Sequence, residues 1–112
     1  MKAWSLVELR RQRDAAGRPY LEFLAEASMS AGLYVLPAGG VDRQSPHSED
    51  EIYVLLRGRG RFTAGAETRE AAAGDVIFVA VGVPHRFHDI SEDLEIAVVF
   101  APPEGTGLPP ET

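Results

Sequence analysis

The sequence predicts a single all-β domain, a barrel or sandwich, preceded by one short helix. Two observations favour this class: short apolar runs recur along the chain, and turns rich in glycine and proline separate them. The 112 residues, 45% of them hydrophobic, suffice for one core. About eight short strands fit into the chain, a number that is typical of a closed barrel or of two packed sheets.

The helix is expected over residues 5–15. Ser5 can accept a hydrogen bond from an early backbone N–H, and Glu8 follows three residues later, which completes the pattern of a capping box. Gly17 and Pro19 then end the helical segment, because glycine favours the left-handed cap and proline restrains the residue before it.

The barrel is expected over residues 20–100, where apolar, β-branched and aromatic side chains form short runs. Glycine, proline or an Ala-Gly-Asp sequence marks the turns between these runs. The predicted strands cover residues 20–24, 29–36, 51–56, 61–63, 76–81, 85–90 and 94–100, with the remainder in shorter pieces. The segment 101–112 contains four prolines and two glycines and is expected to be a flexible tail.

Composition excludes several classes of function. The formal net charge of −6 argues against nucleic acid as a partner, because binding to phosphates needs a basic surface. The chain has no cysteine, so disulfides, thiolate nucleophiles and cysteine-ligated zinc are excluded. No apolar run predicts a signal peptide or a membrane span, and we therefore expect a cytoplasmic protein that does not interact with membranes.

Three residues stand out as candidates for chemistry. His47 and Glu51 are four residues apart at the start of a predicted strand, so their side chains point to one face. His85 follows the turn 82–84 between two apolar strands and should lie inside the barrel or at its rim. Imidazole and carboxylate groups together suit a divalent metal. The alternatives are an exposed acidic loop at 49–51 and a core histidine bonded to a carbonyl group.

The segment from Gly39 to Gly58 resembles the first sequence motif of the cupin family. That motif reads glycine, five residues, His-x-His, three or four residues, glutamate, six residues and glycine. In this chain His47 takes the place of the second histidine and Glu51 that of the glutamate.

The segment from Gly74 to Asp89 resembles the second cupin motif, which reads glycine, five residues, Pro-x-Gly, two residues, histidine, three residues and asparagine. Gly74, Gly82 and His85 match this pattern. Ala80 stands where the motif has proline, and Asp89 stands where it has asparagine. The two segments and the link between them cover about half of the chain, in the order and at the separation usual for cupins.

The resemblance implies a cupin-like double-stranded β-barrel, or jelly roll, that holds one divalent metal ion through His47, Glu51 and His85. The chain departs from the family at Ser45, which occupies the position of the first histidine. Gln44, next to it, could supply a weak fourth ligand through its amide oxygen; otherwise water or substrate would complete the coordination.

A site of two histidines and one carboxylate suits Fe(II), and it would also hold Mn, Zn or Ni. The leading hypothesis is a metal-dependent enzyme that acts on a small oxygenated molecule, most plausibly as an oxygenase. Isomerase or lyase chemistry at the same metal is an alternative, as is a non-catalytic sensor that binds a small molecule. Tyr53 shares the strand face of Glu51 and is either a catalytic acid or a packed aromatic residue.

Small cupins commonly form homodimers, and the resemblance implies one here. The strands predicted at residues 20–24 and 29–36 could form the interface between the two copies. They could equally pair with each other inside one chain.

Overall fold

The computed structural model describes residues 1–43 and 48–105. Within these residues one helix precedes six strands. In chain order the elements are α1 (Leu6–Ala16), β1 (Tyr20–Ala25), β2 (Ser30–Leu36), β3 (Asp50–Ala64), β4 (Glu67–Ala72), β5 (Val76–Val79) and β6 (His85–Ala101).

Helix α1 begins and ends where the sequence predicts, within one residue. The hydroxyl of Ser5 accepts a hydrogen bond from the N–H of Glu8, and Gly17 closes the helix with a left-handed φ of 68°. Arg10 fastens the helix to the sheet through two hydrogen bonds of 2.8 and 2.7 Å to the carboxylate of Glu95. The fork of the guanidinium matches two carboxylate oxygens, and the pair therefore fixes the orientation of the helix.

The described strands form one antiparallel sheet in the order β1-β2-β6-β3-β4, and β5 pairs with the first part of β3, on the edge opposite β6. The long strands β3 and β6 lie at its centre and pair along most of their length. Glu51 pairs with Phe100 in this register, and Tyr53 pairs with Val98. Since side chains alternate between the two faces of a strand, these four residues all point into the barrel.

Two pairs of predicted short strands prove to be single long ones. Residues 51–56 and 61–63 both belong to β3, and residues 85–90 and 94–100 both belong to β6. Register shifts between Leu55 and Arg61 bend β3 without ending it. Gly58 permits the bend because its φ is 96° and because a Cβ there would overlap the carbonyl group of Asp93.

The core is an aromatic cluster between β3 and β6. The rings of Phe62 and Phe87 lie 4.6 Å apart, and the ring of Tyr53 lies 5.1 Å from Phe87. The imidazole of His85 lies 5.9 Å from both Tyr53 and Phe62. The first residue of β6 therefore continues the core toward the candidate site.

The beginning of the predicted tail packs against the barrel. Ala101 is the last residue of β6, and the N–H of Glu104 donates to the hydroxyl of Ser30 at 2.9 Å. The N–H of Gly105 donates to the carboxylate of Glu49, also at 2.9 Å. These contacts hold the chain beside the start of β2, while the rest of the predicted tail lies outside the described residues.

Candidate metal centre

Two of the three predicted ligands meet inside the barrel. Glu51 lies on the inward face of β3, and His85 begins β6 with two residues between it and the turn at Val81 and Gly82. The Nε2 atom of His85 lies 2.9 Å from Oε1 of Glu51. Only 2% of the imidazole and 1% of the carboxylate are exposed. The register places Glu51 opposite Phe100 and His85 opposite Ala64, at opposite ends of the β3–β6 pair, so the bending of these strands into a barrel brings the two groups together.

The hydrogen bonds of His85 determine what must lie between these two atoms. Its Nδ1 is 2.7 Å from the carbonyl oxygen of Val83, which can only accept, so Nδ1 carries a proton. In the neutral ring Nε2 then presents a lone pair to Glu51, and two electron-rich atoms at this distance would repel each other. A second proton or a metal cation between the two atoms removes the repulsion.

The environment of His85 favours positive charge. Burial lowers the pKa of the imidazole, but the hydrogen bond to Glu51 and that to Val83 raise it. The negative charges of Glu51 and Asp42 act in the same direction, and the net result is a raised pKa. These neighbours therefore favour the protonated, positively charged form of the imidazole.

The geometry of the pair fits a divalent metal. Two ligands bound at roughly 2.1 Å and at a right angle are about 3.0 Å apart, close to the separation observed here. Metal-bound histidines usually donate their other N–H to a carbonyl or carboxylate group, as His85 does to Val83. Within residues 1–43 and 48–105, no group of three or more His, Asp and Glu side chains could hold a metal. Of the predicted metal ligands, the described residues include Glu51 and His85.

The remaining predicted ligands, His47 and Gln44, lie outside the described residues, as does Ser45. Their coordination of the metal therefore stays a prediction. Glu51 and Glu49 are 1% and 2% exposed, so the alternative of an exposed acidic loop is wrong for both of them.

Tyr53 is a packed aromatic residue whose hydroxyl also contacts His85. Its ring packs at 5.6 Å from Phe62 in the aromatic core, and the residue is only 1% exposed. Its hydroxyl lies 2.9 Å from Nε2 of His85. In the neutral ring with Nε2 free of metal, the phenol of Tyr53 donates this hydrogen bond, whereas a proton or a metal ion on Nε2 would take the lone pair that accepts it. A catalytic role for Tyr53 stays a prediction.

Asp42 is a buried residue of the site that the sequence reasoning missed. One of its oxygens accepts from the hydroxyl of Tyr34 at 2.6 Å, and the other accepts from the N–H of Phe87 at 2.9 Å. It lies outside every strand and matches no motif position, so only the fold shows its role. Asp42 joins the loop after β2 to the strand that carries His85.

Comparison with known proteins decides the family. The family model described as the Cupin domain matches residues 32–100. The chain belongs to the cupin family. This cupin is 52% identical over 104 residues to an uncharacterised protein of Streptomyces coelicolor, and the match covers 93% of this chain and 99% of the relative.

Solved structures confirm the double-stranded β-barrel. The cupin is similar to TT1209 from Thermus thermophilus, with a TM-score of 0.74, 24% identity, and coverage of 92% of this chain and 99% of that one. It is also similar to the DMSP lyase DddQ from Ruegeria pomeroyi, with a TM-score of 0.68, 21% identity, and coverage of 90% and 66%. At these identities the likeness extends to the fold alone. Within the described ranges, no helix is long and apolar enough to cross a membrane.

Proposed function

We propose that this cupin is a metal-dependent enzyme that acts on a small oxygenated molecule as an oxygenase. One divalent ion (Fe, Mn, Zn or Ni) would be held by His47, Glu51 and His85, with Gln44 as a weak fourth ligand. The observation that carries the proposal is the buried contact of 2.9 Å between Nε2 of His85 and Oε1 of Glu51. A histidine and a carboxylate converging in this way provide two ligands of a cation site.

Each side chain has a definite task in this proposal. Glu51 contributes negative charge, and Val83 holds the His85 ring so that Nε2 faces the ion. The aromatic cluster of Phe62 and Phe87 keeps water away from one side of these groups, which strengthens their electrostatic interactions. When bound, the ion would polarise a substrate oxygen or lower the pKa of a bound water molecule.

The second candidate is isomerase or lyase chemistry at the same ion, and the position of Tyr53 favours it. A phenol that lies 2.9 Å from a metal-binding imidazole is placed to give or take a proton. One structural neighbour is described as a DMSP lyase, which shows that the fold can accommodate a lyase. The dependence of turnover on oxygen separates the two candidates.

Metal analysis of protein purified without a chelating column tests the site. We expect about one equivalent of metal in the wild type and a loss of most of it in His85→Ala, because that variant removes a ligand. His88→Ala is the matched control, since His88 bonds to Thr63 and Asp89 and lies outside the Glu51 contact. Stoichiometric metal in His85→Ala would refute the ligand assignment.

Turnover assays test the reaction class. The Fe(II)-loaded protein would be supplied with small diols, enols and 2-oxo acids in an oxygen electrode, and consumption of O₂ coupled to product is expected of an oxygenase. Product formation without oxygen would favour the isomerase or lyase. If Mn(II)-loaded protein shows no exchangeable water by proton relaxation and no substrate turns over, the cupin is instead a binding module.

The homodimer and cytoplasmic residence belong to the same proposal. Among the described strands β1 pairs only with β2, so its outer edge could pair with a second copy. Trp4, which precedes α1, packs against β1 with its ring 5.0 Å from that of Phe23. Light scattering at micromolar concentration should give twice the mass of the chain, and a monomer would contradict the prediction.

A further inference from the structure

The hydroxyl of Tyr20 is a buried polar group that takes part in none of the hydrogen bonds of the described fold. Tyr20 lies at the start of β1, opposite Tyr34 of β2, and its ring crosses over Gly32 on the inner face of the sheet. The hydroxyl is inaccessible to solvent and has no hydrogen-bond partner among the described residues. Buried hydroxyl groups nearly always have a partner, so this exception calls for an explanation.

The position of the ring is enforced by its neighbours. A Cβ on residue 32 would overlap the hydroxyl end of the Tyr20 ring, and only glycine leaves that space free. Edge-to-face contacts fix the ring from two sides, with centroid distances of 6.2 Å to Tyr34 and 6.4 Å to Phe100. The hydroxyl is therefore directed to one place inside the barrel.

The charges around the hydroxyl indicate what it can bind. Burial raises its pKa, and the negative charges of Glu104, Glu22 and Glu51 raise it further, in that order of importance. The group therefore stays protonated and acts as a donor. The ring of Tyr20 contacts Phe100, which lies opposite Glu51 in the pairing of β6 with β3, so the hydroxyl lies on the same inner face as the candidate metal centre.

We propose that the Tyr20 hydroxyl donates a hydrogen bond to an acceptor oxygen of the small molecule bound beside Glu51 and His85, and thereby orients it. The chemical class is a compound with a carbonyl, ether or hydroxyl oxygen, because a protonated phenol donates to such acceptors. Tyr20 is thus a residue that determines specificity. The inference rests on the proposed function, since the oriented molecule is the one that the metal centre would transform.

The first experiment measures thermal stability. In Tyr20→Phe the melting temperature should rise or stay unchanged, because the variant removes a buried hydroxyl without a partner and keeps the ring. The matched control is Tyr34→Phe, which removes a hydroxyl that donates to Asp42 at 2.6 Å and should lower the melting temperature. A fall in Tyr20→Phe as large as that in the control would show a structural hydrogen bond and overturn the inference.

The second experiment measures binding with acetone, a neutral carbonyl compound, as the probe. The chain has three tyrosines, so labelling with ¹³Cζ-tyrosine gives three resonances, and Tyr20→Phe assigns one of them. We expect acetone to shift the Tyr20 resonance in a saturable way. With Tyr53 as the reporter, Tyr20→Phe should weaken acetone binding about three- to tenfold, the effect of one neutral hydrogen bond.

The outcomes separate this inference from the proposed function. Both experiments work with protein that retains metal and with protein that does not, so a failure of the metal assays leaves them interpretable. No saturable shift of Tyr20 with acetone, or equal affinities in the wild type and in Tyr20→Phe, would overturn the role of Tyr20. Metal loss in His85→Ala would still stand in that case.

Discussion

Replacement of Gly32 by alanine tests how the barrel interior is assembled. The backbone of Gly32 is outside the left-handed region, so alanine meets no conformational obstacle there. The obstacle is the ring of Tyr20, which a Cβ would overlap at its hydroxyl end. The ring cannot move aside easily, because Tyr34 and Phe100 flank it.

The expected loss of stability follows from this overlap. Overpacking in a core typically costs about 1–3 kcal/mol, and confinement of the ring on two sides places Gly32→Ala at the upper end, about 3 kcal/mol. For a domain of about a hundred residues each kcal/mol lowers the melting temperature by roughly 4–5 °C. Gly32→Ala should therefore melt about 12–15 °C below the wild type.

A double-mutant cycle with Tyr20→Ala isolates the cause. Tyr20→Ala alone should cost about 2–4 kcal/mol through lost packing. Once the ring is absent, Gly32→Ala should be neutral or stabilise by up to about 1 kcal/mol, because alanine loses less backbone entropy than glycine. Urea unfolding of the four proteins gives the coupling energy. An equal cost of Gly32→Ala in both backgrounds would refute the proposed contact.

Two further predictions concern the polar groups of the interior. Asp42→Ala should destabilise the fold by about 3 kcal/mol, because the hydroxyl of Tyr34 and the N–H of Phe87 lose their acceptor. Chemical denaturation measures this loss, and a change below about 1 kcal/mol would contradict the role of Asp42. Burial raises the pKa values of Tyr20 and Tyr34, and for Tyr34 the hydrogen bond to Asp42 raises the pKa further. As the pH rises past about 10, these phenols therefore ionise in the unfolded chain before they ionise in the folded protein. Stability should be complete below that pH and fall above it. Absorbance at the tyrosinate band should show delayed ionisation of Tyr20 and Tyr34 in the folded protein, and ordinary titration of these two residues would contradict the prediction.

The sequence predicted the features that depend on near neighbours in the chain. The cap at Ser5 was predictable because its hydrogen bond spans only three residues. The shared face of Glu51 and Tyr53 was predictable because side chains alternate along a strand, and both residues are buried. The resemblance of two motifs to those of cupins also identified Glu51 and His85 as a pair before any contact was known.

Other features depend on which strands become neighbours. Glycines such as Gly58 mark a turn or a bulge equally well, and pairing of β3 with β6 decides for the bulge. Asp42 belongs to no motif, and its importance arises only when Tyr34 and Phe87 approach it from different strands. The pattern of residues along the sequence therefore could not predict the number of strands or the role of Asp42.

By itself the sequence determined the all-β class, the helix, and the two side chains that meet at the candidate metal centre. Only the tertiary structure decided that Tyr20 crosses Gly32 and that Glu49 holds Gly105. The physical reason is that periodicity and capping are properties of short segments, whereas a contact between distant residues depends on register. A shift of one residue in register would turn every inward side chain of a strand outward.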